Sequence, residues 1–389
     1  MNACSFPSLV AREWRLLLKD PWLLSLVSWV PILLFLLMWA IFYQGTASNL
    51  PIGIVDLDKS RISRALVRHY DSTSTLEVVQ SYLNVSEGAR ALRAGKIYGL
   101  VAIPRGLEKM VVIGRPPQVS AFVNTQFLLI GKSVNSALLK AQGTFAGQVE
   151  VLKNLATGEP VFDMALSTAA PIGSQITPLF NASNNYAQFL VSAMLPAVWQ
   201  ILMVAVTVLS FAAEQRREGV RQWLSENPIR AFFAKLLPLA IIFSFHGFVF
   251  LFIMYILLGW PMHGSWALLI VAQLATVCAS LAVAPLFFLV TLSGARGLSL
   301  AAAYAAPGLA FMGVTFPVTD MTVPAKMWRS LLPVSHYIEI QLAQVNYGAP
   351  MEMAISQLQQ LGLFCIPLLL AIYKVRSVAS VPVEAEVSQ

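Results

Sequence analysis

Long apolar tracts cut by short charged islands organise this chain. From Met164 to Ala213 fifty residues pass without Asp, Glu, Lys or Arg, and from Leu236 to Ala295 sixty do. Between them lies Glu214 to Lys235, EQRREGVRQWLSENPIRAFFAK, with five basic residues and three acids. A membrane span takes roughly 20 predominantly apolar residues. The pattern therefore predicts spans at 22–43, 186–211, 236–258, 266–290, 298–316 (interrupted by Pro307 and Gly308) and 353–373. Segment 317–350, apolar but rich in Pro and charge, is expected to form short re-entrant helices in the outer interface, and the tail from Ser377 to be disordered.

A different pattern fills 46–185. Strand-like runs at 51–55, 76–80, 98–103 and 118–123 alternate with helical patterns at 60–70, 84–95 and 105–113, which predicts a small α/β domain. Ser60 reads as an N-cap, and Asp56 and Asp58 as the residues that fix the turn before it. Phe127, Ile130, Val134, Leu138, Ala141, Phe145, Val149 and Leu152 recur every three or four positions, one stripe along a helix over 127–152. The stretch 156–185 is expected to return to the membrane as a loop. At the start, residues 6–20 read as an amphipathic helix in the interface plane. Val10, Trp14, Leu17 and Leu18 lie on one face, with Arg12, Arg15 and Lys19 on the other. The fold class predicted is thus a polytopic α-helical membrane protein with six transmembrane helices and a small extracytoplasmic α/β domain inserted between helices 1 and 2.

Charge sets the sidedness. Segments predicted to be cytoplasmic hold eleven Lys and Arg residues, against Lys326 and Arg329 in the two short outer loops. Both termini and the 214–230 loop are therefore expected in the cytoplasm, and the α/β domain outside. Composition agrees: 57% of residues are hydrophobic and 12% charged. The net charge of +7 reflects a mildly basic domain surface, with no long basic run for nucleic acid. The three cysteines, Cys4, Cys278 and Cys365, lie far apart and give neither a disulfide framework nor a CxxC site.

Candidate chemistry is sparse. QFLLIGKS at 126–133 has the position of a phosphate-binding loop, but Gln126 replaces its first Gly, and Phe-Leu-Leu-Ile is too bulky for amides that cradle phosphate. A cation site on Asp56 and Asp58 lacks further oxygen ligands. The span cores hold no Asp or Glu, which removes the carboxylates an ion-coupled transporter uses. His246, the titratable residue inside a span, reads as a helix-packing hydrogen-bond partner, with a proton relay as the alternative. No nucleophile and base are paired by the pattern, so the chain is expected to be neither catalytic nor metal-binding, and to bind no cofactor.

On these pieces the chain resembles the membrane subunits of type-2 ABC exporters, in the subgroup with a large extracellular domain between the first two spans. The resemblance rests on Arg12-Glu13 and Asp20-Pro21, IGIVDLDKSRISRAL from Ile52, YGLVAIPRGL from Tyr98, the charged island, and GVTFPVTDM from Gly313. The family's Gly-Lys is Ala234-Lys235 here, and Thr322 stands where a Pro usually follows the Met. The resemblance implies that 1–20 is an elbow helix, with Arg12, Glu13, Trp14 and Arg15, and that 214–230 carries a coupling helix. That helix would meet a separate ATPase through the polar residues Arg217, Glu218 and Arg221, the apolar residues Trp223 and Leu224, and the motif positions Gly219 and Pro228. It further implies ATP and Mg in that partner, a dimer with itself or a similar permease, and export of a hydrophobic or amphipathic compound across a bacterial cytoplasmic membrane. A periplasmic adaptor is left open, as are an ion-coupled transporter and a non-transporting receptor or anchor as other classes.

Overall fold

The computed structural model describes residues 5–43, 45, 48–113, 115, 117–156, 181 and 185–380, without the side chains of 128, 150 and 152–156. The chain forms two compact units, one of 1–45 with 179–389 and the other of 46–178. Helices and strands are numbered below in chain order.

The first unit opens with α1 (Phe6–Lys19), α2 (Pro21–Val27) and α3 (Trp29–Phe42). Asp20 ends α1 and starts α2, its carboxylate accepting the Trp22 and Leu23 amides at 3.1 and 3.2 Å, the usual N-cap chemistry. α1 differs from its predicted faces: Leu18 is 58% exposed, while Glu13 is buried beside Leu17. Glu13 falls three residues after Val10 and four before Leu17, on the inward stripe. The reason an acid can sit there is the charge cluster described below.

The second unit holds β1 (Leu50–Asp56), α4 (Arg61–Asp71), β2 (Leu76–Ser81), α5 (Val85–Arg93), β3 (Gly99–Ile103), α6 (Leu107–Val112), β4 (Ser120–Val123) and α7 (Leu128–Ala156). Its sheet has the order β2-β1-β3-β4, with β1 parallel to both neighbours and β4 antiparallel to β3. Ile52, Ile54, Leu66, Tyr70, Val101 and Ile103 form its core with Val134, Leu138 and Ala141 of α7, so the middle of the predicted stripe is the buried face of that helix, while Phe127 lies just before it and is 53% exposed. Gly131 of the phosphate-loop look-alike lies within α7. A Cβ there would stand 2.9 Å from the Asn124 carbonyl, so this glycine serves close packing of helix on strand end.

The two aspartates build the β1–α4 turn. Asp56 accepts the Asp58 and Lys59 amides at 3.0 and 2.9 Å and the Ser63 hydroxyl at 2.7 Å, and Ser60 caps α4 through the Ser63 amide. Asp58 reaches across to α6, accepting the Gly106 and Glu108 amides at 2.6 and 3.1 Å. Burial pushes its carboxyl up, but hydrogen bonds from Ser60 and from the Glu108, Gly106 and Leu107 backbone outweigh this and hold it below the usual value. A carboxyl depressed by folding contributes stability above its unfolded value near pH 4 and loses it as pH falls through the lower folded value. Asp58→Ala is expected to cost this unit about 1–2 kcal/mol at neutral pH. Faster hydrogen exchange at the Gly106 and Glu108 amides reports it, and unchanged exchange would refute the role.

The first unit resumes with α8 (Tyr186–Arg217), α9 (Val220–Trp223), α10 (Pro228–Phe252) running into a π turn at Ile253–Leu257, and α11 (Trp266–Thr291). α12 (Gly294–Ala305) and α13 (Gly308–Phe311) follow, then a 3-10 turn at Val318–Asp320, α14 (Val323–Ser330), α15 (Pro333–Tyr347), α16 (Met351–Gly362) and α17 (Cys365–Ala379). Among the described residues four stretches are long and apolar enough to cross a membrane: Tyr186–Arg217, Pro228–Leu257, Trp266–Thr291 and Met351–Ala379. The pair α2–α3, bent by 42°, makes a fifth if counted as one span. The stretch expected as the fifth of six, 298–316, is two short helices, because Pro307 brings no amide and breaks the ladder. Segment 317–350 does fold as short helices. Ser377 to Ala379 are helical, against the expectation of a disordered tail, and 381–389 lie outside the described residues, as does most of the 156–185 loop. The bundle core runs through Phe35, Val191, Met203, Phe243, Leu269, Leu332 and Val345.

Candidate functional site: the charged loop and its stems

The charged island is smaller in space than in sequence. α8 runs past the predicted boundary at 211 to Arg217, and α10 begins at Pro228, capped by Asn227, whose side chain accepts the Arg230 amide at 3.0 Å. Pro at the first helical position costs no hydrogen bond, because that amide would be unpaired anyway. Only 218–227 remain as loop, holding the single turn α9. Gly219 carries φ +82° and ψ 142°, a region that side chains rarely enter, and this lets the chain reverse directly after α8.

Four charges close a ring at the loop's stems. Arg12 donates to Glu13 at 2.7 Å and to Glu214 at 3.0 Å. Lys235 Nζ donates to the second oxygen of Glu13 at 2.6 Å and to the other oxygen of Glu214 at 2.9 Å. Each carboxylate thus engages both cations, and the ring is neutral. Glu13, Glu214 and Lys235 are 6%, 0% and 3% exposed, a burial that charges tolerate only when paired and hydrogen-bonded. Glu218, on the surface, adds a longer contact to Arg12 at 3.4 Å. Burial works against the Arg12 charge, but the hydrogen bond and charge of Glu214, with Glu13 and Glu218, raise its pKa above the ordinary value. The ring joins α1 to the last turns of α8 and the first turns of α10, so both stems of the loop are fastened to the amphipathic helix.

The expected contact residues divide. Arg217 and Glu218 are exposed, Arg221, Trp223 and Pro228 are half-buried, and Gly219 forms the reversal. Trp223 stands edge-on to Phe211 with ring centroids 5.6 Å apart, and Lys235 Nζ lies 5.3 Å from the Trp223 ring centroid. Leu224, expected as an apolar contact for a partner, is instead fully buried in a cluster with Val220, Phe211, Phe232 and Phe288. It holds the loop down from inside, because a one-turn helix cannot stay folded without burying an apolar residue. In α1, Arg12 and Glu13 enter the ring, Trp14 is half-buried, and Arg15 is exposed. Glu214 and Lys235 were not assigned a role by the sequence pattern. Their signal was an acid on the inward face of α1 together with opposite charges at the inner edges of two charge-free tracts.

The match to a family model bears on what such a loop does. Residues 21–374 match the model described as ABC-2 family transporter protein, so the chain belongs to that family. No curated protein matches the chain. The family gives the chain the role of an ABC permease, a multi-pass membrane transport subunit that is typically non-catalytic and works with an ABC ATPase subunit.

Proposed function

We propose that this chain is the membrane-spanning permease of an ATP-driven exporter. It moves a hydrophobic or amphipathic compound, drug-like or lipid-like, out of the cytoplasm or the inner leaflet of a bacterial cytoplasmic membrane. ATP and Mg are held and hydrolysed by the partner ATPase, and the permease acts as a dimer with itself or a similar chain. The loop 218–227, with the helix ends on either side of it (214–230 in all), is the ATPase contact. Arg217, Glu218, Arg221 and Trp223 form its outer surface, Gly219 and Pro228 shape it, and Leu224 anchors it.

The observation that carries this reading is the closed charge ring. A push on the loop is delivered to both stems and to α1 together, because Arg12, Glu13, Glu214 and Lys235 tie them into one body. Six crossings are part of this reading, supported by the charges at the two ends. Arg12, Arg15 and Lys19 at one end and Lys374 and Arg376 at the other favour the same side of the membrane. An even number of spans accords with this, and the reading takes α12–α13 as the fifth of six. The α/β unit then lies on the far side, where an adaptor would meet it.

In proteoliposomes holding the chain and its ATPase, ATP is expected to drive accumulation of a fluorescent amphipathic dye on the side opposite the ATPase. Dye movement driven by an ion gradient without ATP would contradict the reading and favour a secondary transporter.

A further inference from the structure

Pro196 leaves a backbone acceptor without its helical donor inside α8, and α15 supplies one. In an α-helix the Ser192 carbonyl would accept from the amide of residue 196. Residue 196 is proline, buried within the helix, and has no amide. Gln341 of α15 donates in its place, with Nε2 2.8 Å from the Ser192 carbonyl oxygen. A carbonyl only accepts, so this contact fixes which end of the amide faces it.

The converse contact lies two turns further along α8. α15 opens at Pro333, and the Val334 amide in its first turn has no intrahelical acceptor. Gln200 of α8 accepts it through Oε1 at 2.6 Å. Each helix thus completes the backbone of the other. Ser192, Gln200 and Gln341 are 6%, 1% and 1% exposed, so water is no substitute for these bonds. Nε2 of Gln341 also reaches Tyr255 Oη at 3.2 Å, in the π turn that ends α10. α8 and α10 are the two stems of the charged loop, and Glu214 and Lys235 join them beside it. From Ser192 to Glu214 α8 rises roughly 33 Å at about 1.5 Å per residue, close to the thickness of the hydrocarbon core. The stems are therefore fastened at both ends, by the charge ring at one and by Gln341 at the other.

We infer that Gln341 and Gln200 are positioning residues that seat α15 on the far ends of both stems, so that α15 follows the loop when the ATPase moves it. The seating stands on the packing of the bundle alone. The coupling rests on the reading that the loop and its helix ends dock the ATPase.

The test has two readouts on the full chain: thermal unfolding in detergent, and dye export per ATP hydrolysed in proteoliposomes that hold the ATPase. Gln341→Met keeps the length of the side chain and removes the donor. It is expected to lower Tm by roughly 2–4 °C. In a Pro196→Ala background residue 196 has its own amide, and Gln341→Met should lose most of that cost, whereas the contact to Tyr255 is lost equally in both backgrounds. With the ATPase, Gln341→Met is expected to keep ATP hydrolysis and to lower dye export per ATP roughly fivefold or more, with recovery in the Pro196→Ala background. Equal Tm cost in both backgrounds, or export per ATP unchanged by Gln341→Met, would overturn the proposal. If Gln341→Met fails to accumulate, recovery of the chain by Pro196→Ala supports the seating and continued failure overturns it. A wild-type chain that exports no dye with ATP refutes the docking reading instead, and the unfolding cycle then decides the seating by itself.

Discussion

Lys235→Met is expected to destabilise the detergent-solubilised chain by about 3–5 kcal/mol. The substitution keeps the length of the side chain and removes the cation that stands between Glu13 and Glu214. Two carboxylates that are almost fully buried would then share Arg12 alone. The loss is chiefly the desolvation of charges left without a partner, which is why breaking a buried pair costs more than the pair is worth. The contrast that identifies the cause is Lys235→Met combined with Glu13→Gln. That pair removes one charge of each sign, restores neutrality, and is expected to recover about half of the loss or more. Thermal unfolding in detergent checks both, and a double variant as unstable as the sum of its singles would show that the ring does not act as a unit.

Trp223 and Leu224, adjacent in sequence, are expected to fail in different ways. Trp223→Ala removes a half-buried ring from the outer face of the loop and is expected to weaken ATPase association roughly thirtyfold or more, the loss typical of a truncated aromatic hot spot. Leu224→Ala opens a cavity in the cluster under the loop and is expected to lower stability by about 2–5 kcal/mol, with ATPase binding lost because the loop no longer holds its shape. Titration of ATPase onto each variant, with thermal unfolding of each chain alone, separates the two. If Leu224→Ala folds normally and Trp223→Ala binds normally, the inward and outward assignments are both refuted.

Much of this was legible in the sequence because the signals were local. IGIVD alternates with helical SRISRAL in a way that a strand and a capped helix require, and Asp56, Ser60 and Ser63 make their bonds within seven residues of one another. The α7 stripe could be read because one side of a long helix repeats at helical spacing, and Val134, Leu138 and Ala141 are its buried positions. The loop was found from its charges, but its stems were not, since charged residues such as Glu214 and Arg217 suit a helix as well as a loop. The charge ring joins residues 222 positions apart and could not be seen from spacing. The inward turn of Leu224 depends on Phe211, Phe232 and Phe288 converging from three other helices. His246 was read as a helix-packing residue from its place in an apolar span, and its neighbours Phe243 and Phe250 lie on the same face of α10.

The central claim, that the loop 218–227 docks a separate ATPase which this permease couples to transport, is tested most directly by affinity purification of the chain in mild detergent. ATP hydrolysis is assayed in the eluate, for wild type and Trp223→Ala side by side. A soluble ATPase recovered in equal amount with the wild type, turning over ATP, and lost with Trp223→Ala, is the result expected. A wild-type chain that elutes alone and inert, or an ATPase held equally well by Trp223→Ala, would contradict it.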